Sequence, residues 1–208
     1  MKTFGLIALW ISILSPLLPL VLGWKSRRSL IWYYAAMSLS FDLLVSLLKR
    51  VFHLPHHGIS DLFMMAEYVV FSTIFLRLLG AKGNRFWLLL IVPGALYLIH
   101  YFWTGKADGD LTGEAALYVL FIIYCLAGFR RLLDSPTERF VTRLPQFWFY
   151  TGILLYCSGT VVIFLSKDFM RSYNDPFFLM LWGTVYCLLN ATKNAFLAVS
   201  LRRATQRA

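Results

Sequence analysis

Seven long apolar runs constrain this chain more than any other feature. They cover about 3–24, 30–48, 61–79, 86–103, 112–129, 146–166 and 176–201. A helix of about 20 apolar residues spans the hydrocarbon core of a bilayer. Only helices and closed barrels satisfy their backbone in lipid, and continuous apolar runs point to helices. The expectation is an all-α polytopic membrane protein: one seven-helix transmembrane bundle over residues 1–208. Lys2 precedes the first run, Phe4 to Leu22, as in a signal peptide. The run is too long for one and Leu22-Gly23-Trp24-Lys25 lacks a small-residue cleavage site, so we read a retained helix.

Composition sharpens this. Hydrophobic residues make up 59% and charged residues 14%. Soluble domains hold about 45–50% and about 25%. This excludes a soluble enzyme, a disordered chain and a nucleic-acid binder. The net charge of +10 therefore belongs to membrane topology rather than to nucleic acid. One set of connections carries Lys25, Arg27, Arg28, Arg77, Lys82, Arg85, Arg130, Arg131, Arg139, Arg143, Arg202, Arg203 and Arg207. The other carries Lys2, Lys49, Arg50, Lys106, Lys167 and Arg171. By the positive-inside rule the N-terminus is outside and the C-terminus inside. Within the 130–145 connection, Ser135-Pro136-Thr137-Glu138 fits a capping box. It predicts either a short basic interfacial helix ended by Pro145 or an irregular loop. Prolines 16, 19 and 93 are expected to kink their helices.

Ionisable residues inside spans are costly and are functional candidates by default. Asp42, Glu67 and Lys193 are three such residues. Lys193 stands nine residues before Arg202, about 13–14 Å from the inner end at 1.5 Å per residue. Glu67 stands ten residues before Arg77, about 15 Å deep on the same scale. The matching depths suggest an ion pair. Tyr186, Asn190, Lys193, Asn194 and Leu197 form one helical stripe, which should turn the amine into the bundle. Ser38, Asp42, Ser46 and Lys49 form another, read either as a polar cleft opening outward or as a helix–helix hydrogen-bond seam. Thr151, Gly152, Ser158 and Gly159 read as close helix packing. On the outer side, His53, His56, His57 and Asp61 offer imidazoles and a carboxylate to zinc, copper or nickel, or to a proton. A solvated loop is the plainer reading of the same segment.

Leu144-Pro145-Gln146-Phe147-Trp148, Gly152-Ile153-Leu154-Leu155-Tyr156 and Asn190-Ala191-Thr192-Lys193-Asn194-Ala195-Phe196 resemble the last two spans of an uncharacterised family of bacterial seven-helix membrane proteins. That resemblance implies a loose association with separate sensor kinases. Glu67-Tyr68, and Lys193 with Phe196 and Leu201-Arg202, resemble the third and seventh helices of microbial rhodopsins. This second resemblance implies retinal on Lys193 with Glu67 as counterion. It departs at Met64, where an arginine would stand, and at Leu189, where a second acid would stand. Pro145-Gln146 is similar to one copy of the motif of small seven-helix sugar transporters.

The sequence offers no nucleophile–base constellation, so we expect no enzyme. It points to a receptor-like sensory module, coupling an outer ligand or proton to a separate inner-face membrane or signalling protein. A proton-coupled or small-solute transporter, a retinal protein and a structural membrane subunit are the alternatives.

Overall fold

A computed structural model describes residues 2–48, 57–104, 112–134, 140–166 and 176–206. In order, the helices are α1 (Lys2–Leu14), α2 (Leu17–Leu22), α3 (Leu30–Leu47), α4 (His57–Leu78), α5 (Gly83–Thr104), α6 (Thr112–Asp134), α7 (Pro145–Leu165) and α8 (Pro176–Thr205). Short 3-10 turns lie at Trp24–Ser26 and Val141–Arg143. The described residues contain no strand. Four of their helical stretches are long and apolar enough to cross a membrane: Gly5–Leu22, Leu30–Leu47, Gly113–Asp134 and Pro145–Leu165.

Local sequence explains the boundaries. Proline has no N–H to continue the helical ladder, and the first apolar run breaks at Ser15–Pro16. The carbonyl of Ser12, left without the N–H of residue 16, accepts from the Ser15 hydroxyl at 2.7 Å. By contrast α5 runs through Pro93. Ser29, in an extended conformation, caps α3 by accepting from the Trp32 amide at 3.2 Å. Past the end of α4, Gly80 takes a left-handed φ of 69° and the Ala81 amide reaches back to the Leu76 carbonyl at 2.9 Å. The Leu78 carbonyl accepts from Arg131 of α6 at 3.1 Å. Pro145 occupies the first turn of α7, where no amide is missed. Within the 130–145 connection, residues up to Asp134 belong to α6, Val141–Arg143 form a 3-10 turn, and Pro145 begins α7. Residues 135–139, with the capping-box pattern, lie outside the described residues.

Packing is tightest where α7 meets α6 and α8. A Cβ on Gly152 would stand 2.5 Å from the Phe196 Cβ, and one on Gly128 would stand 2.5 Å from the Tyr150 ring. Gly159 is closed off in the same way by Leu189. Thr151 and Ser158 instead bond their own helix, to Phe147 and Leu154 carbonyls. The core is aromatic. Phe71, Phe75, Phe121 and Phe149 are fully buried, and Phe75 lies 5.2 Å from Phe149 and 5.9 Å from the parallel ring of Tyr150. The periphery is apolar too. Trp87, Leu88, Ile91, Leu96 and Ile99 of α5 are all more than half exposed, as suits a helix facing lipid.

Gly152→Leu should therefore destabilise the fold by about 2 kcal/mol through overpacking. Gly183→Ala, whose Cβ meets nothing within 4 Å, should leave it unchanged or slightly firmer. Thermal unfolding of the two variants in one detergent checks this.

Candidate functional site

Three helices converge on one buried amine. Lys193 of α8 is 1% exposed, Glu67 of α4 1% and Tyr34 of α3 0%. Nζ of Lys193 donates to the Tyr34 hydroxyl at 2.6 Å, and that hydroxyl donates to Glu67 Oε1 at 2.6 Å. The direct Nζ to Oε1 distance is 3.4 Å. Tyr34 thus relays the shorter contacts of the ion pair. Nζ also sits 4.0 Å from the ring centroid of Tyr156, a cation–π contact between two buried side chains. A buried amine needs this many partners, because desolvating each ion costs several kcal/mol.

The second carboxylate oxygen faces elsewhere. Glu67 Oε2 accepts from Tyr118 of α6 at 3.3 Å. From there the Tyr118, Tyr156 and Tyr186 hydroxyls follow at 3.4 and 3.1 Å. In both of those contacts either oxygen is a competent donor. With Glu67 ionised, each hydroxyl in this chain points towards it. With Glu67 protonated on Oε2, Tyr118 would accept and the donors downstream would reverse.

The stripe on α8 divides. Lys193 and Tyr186 turn to this cluster. Asn190 and Asn194 turn to the broken first helix, their amides donating to Ser12 at 2.9 Å and Ser15 at 2.7 Å. These two asparagines are a clamp on the α1–α2 break, not part of the charge cluster. Ser38 is buried on α3, one turn from Tyr34.

Asp42 lines a cavity of about 230 Å³. Glu67 and Glu114 share that cavity, with Phe41, Phe63, Phe164, Tyr118 and Tyr186 among its walls. Asp42 Oδ2 is buried there without a hydrogen-bond partner among the described residues. Val45 near the end of α3, Phe63 and Glu114 early in α4 and α6, and Phe164 near the end of α7 place it towards one end of the bundle. That end is opposite Arg77, Arg131 and Arg202. Glu67 therefore joins a solvent-sized cavity on one side to the lysine on the other.

The chain matches no protein-family model, no curated protein and no solved structure. Its chemistry has to be read from the site itself.

A retinal Schiff base needs an apolar channel leading away from Nζ. Here Nζ ends against Tyr34, Glu67 and the face of Tyr156, and Lys193 is not among the cavity's lining residues. The carboxylate stands where a counterion would, but the surroundings of Nζ do not fit the polyene. Of the outer histidine group, His53 and His56 lie outside the described residues, and only the backbone of His57 and Asp61, in α4, lies within them. Among the described residues no three His, Cys, Asp or Glu side chains are grouped to hold a metal ion.

Sequence reasoning missed Tyr34, Tyr118, Tyr156 and Glu114. Tyr34 stands four residues before Ser38 and eight before Asp42, so the stripe already marked on α3 extends to it. Glu114 and Tyr118 share the same i, i+4 spacing. Tyr156 carries no such signal.

Removing one member of the pair should cost more than removing both. Lys193→Met leaves Glu67 without its cation and should lower stability by about 3–5 kcal/mol. Adding Glu67→Gln to it should restore more than half of that loss. Denaturation midpoints of the wild type, both single variants and the double variant would show it.

Proposed function

We propose that the chain is a seven-span module of a bacterial cytoplasmic membrane that senses a proton or small ligand and passes the change to a separate protein on the inner face. The span count takes α1 with α2 as one crossing, broken at Pro16, and α3 to α8 as six more. Helices α4, α5 and α8, of 22, 22 and 30 residues, exceed about 30 Å at 1.5 Å per residue. The basic connections put the N-terminus outside and the C-terminus inside. The cavity beside Asp42, Glu67 and Glu114 then opens towards the outside.

One observation carries the sensory reading: the two oxygens of Glu67 are committed to different helices. Oε1 holds Tyr34 of α3 and Lys193 of α8; Oε2 holds Tyr118 of α6. A proton or a cation arriving from the cavity changes both sets together. Neutralising Glu67 leaves Lys193 with Tyr34 and the Tyr156 face as its partners. The interface of α8 with α3 and α4 then loses its charge attraction. The movement emerges at the basic end of α8, beside Arg202 and Arg203, where an inner-face partner meets it. The resemblance to a family loosely associated with sensor kinases supports a signalling protein as that partner. The row of hydroxyls from Glu67 to Tyr186 favours a second reading, proton-coupled transport through the same residues.

Liposomes separate the two. Spin labels on Lys82→Cys and Arg203→Cys report the distance between α5's approach and the end of α8. The sensor reading expects that distance to change as external pH falls, to be fixed in Glu67→Gln, and proton flux to stay at the level of empty liposomes. Flux that depends on Glu67 would establish the transporter instead. A constant distance with no flux, in protein whose melting temperature shows it folded, would sink both.

A further inference from the structure

We propose that the cleft between the start of α7 and the end of α8 binds the headgroup of an anionic phospholipid. Trp148, Val199, Arg202, Arg203 and Gln206 enclose about 380 Å³ there. This rests on the chain being a membrane protein, but not on its being a sensor.

The cleft carries two positive charges. Arg202 and Arg203 are exposed, and neither guanidinium has a carboxylate partner among the described residues. Guanidinium forks match phosphate oxygens better than a point charge does. Gln206, one turn further on, adds an amide donor. The carbonyls at the end of α8 present negative partial charge and oppose an anion. Affinity must therefore come from the two arginines.

Its wall is fixed in place. The Trp148 indole donates to the Thr142 carbonyl at 2.7 Å and stacks on Phe196 at 5.7 Å and 24°. An indole anchored in this way sits at headgroup depth, with its ring against apolar chain and its edge in the polar zone. Toward the membrane centre, the outward face of α8 continues through Val199 and the exposed Ala195 and Leu188, with exposed Leu155 on α7. Exposed Thr192 is the one polar side chain on this face between Leu188 and Val199. Charge at the rim, a rigid indole at the shoulder and a largely apolar exposed face below fit phosphate joined to an acyl chain. A free phosphate ion would use only the rim.

Native mass spectrometry of the full chain tests this. Detergent-solubilised protein is offered equimolar phosphatidylglycerol and phosphatidylcholine. The expected result is retention of phosphatidylglycerol over phosphatidylcholine by about tenfold. R202Q/R203Q, both at exposed positions, should lose that preference, while R130Q, an exposed arginine on α6, should keep it. Inorganic phosphate at the lipid's concentration should leave the bound lipid in place. Equal retention of the two lipids, or an unchanged preference in R202Q/R203Q, would overturn the proposal. Displacement by inorganic phosphate would show an anion site without lipid specificity and overturn it equally.

Discussion

A lysine ammonium at mid-depth in a bundle has nowhere to put its charge except against another side chain. Lys193 meets that constraint with Glu67 and Tyr34, and much of the architecture answers to it. The pair joins α8 to α3 and α4. Tyr118 brings in α6 through the other carboxylate oxygen, and Tyr156 brings in α7 through its ring. Five helices thus share one electrostatic centre. In a bilayer, where lipid tails are as apolar as leucine, burying Phe71 or Phe121 does little by itself to choose among helix arrangements. A single buried charge does choose, because few arrangements place a carboxylate and two hydroxyl-bearing rings within reach of Nζ.

The second organising device is a fault in the first helix. Pro16 removes an amide, the Ser15 hydroxyl repairs the orphaned carbonyl of Ser12, and both serines become acceptors for asparagine amides on α8. The break is therefore a recognition surface. It gives α8 a polar edge to register against, separate from the edge that carries Lys193. Asn194 and Lys193 are neighbours in sequence but face different helices, so α8 is fixed in rotation about its axis from two directions.

Much of this was legible before any coordinates. Helical class follows from runs of apolar residues, and a constant rise per residue puts Glu67 and Lys193 at matching depth, which suggests their pairing without showing that α4 and α8 are neighbours. Glycines 152 and 159 read correctly as packing positions. What a linear pattern does not carry is azimuth against neighbours. The stripe from Tyr186 to Leu197 looked like one surface, yet a helix turning 100° per residue spreads Asn190 and Asn194 far enough from Lys193 to meet α1 instead. Tyr118 and Tyr156 lie well inside apolar runs, where an aromatic ring reads as core packing, and this conceals them as hydroxyl donors. Pro145 is equally ambiguous in a linear pattern, because its fixed φ and missing amide can end one helix or, as here, start α7.

The sequence distance between the two charges has a consequence for how the protein is made. Glu67 and Lys193 are 126 residues apart. At ribosomal speeds of roughly 5–20 residues per second, α4 leaves the ribosome on the order of ten seconds before α8 exists. During that interval Glu67 has no cation in the membrane to meet. The first run, at a mean hydropathy of 2.2 over Gly5–Leu22, enters lipid readily on its own. Helix α4 has to wait, either with Glu67 protonated or with its acidic face held at the insertion machinery. Helix α8, made after α4, is then the one that releases it, and a chain truncated before α8 retains an orphaned acid as a mark of its own incompleteness.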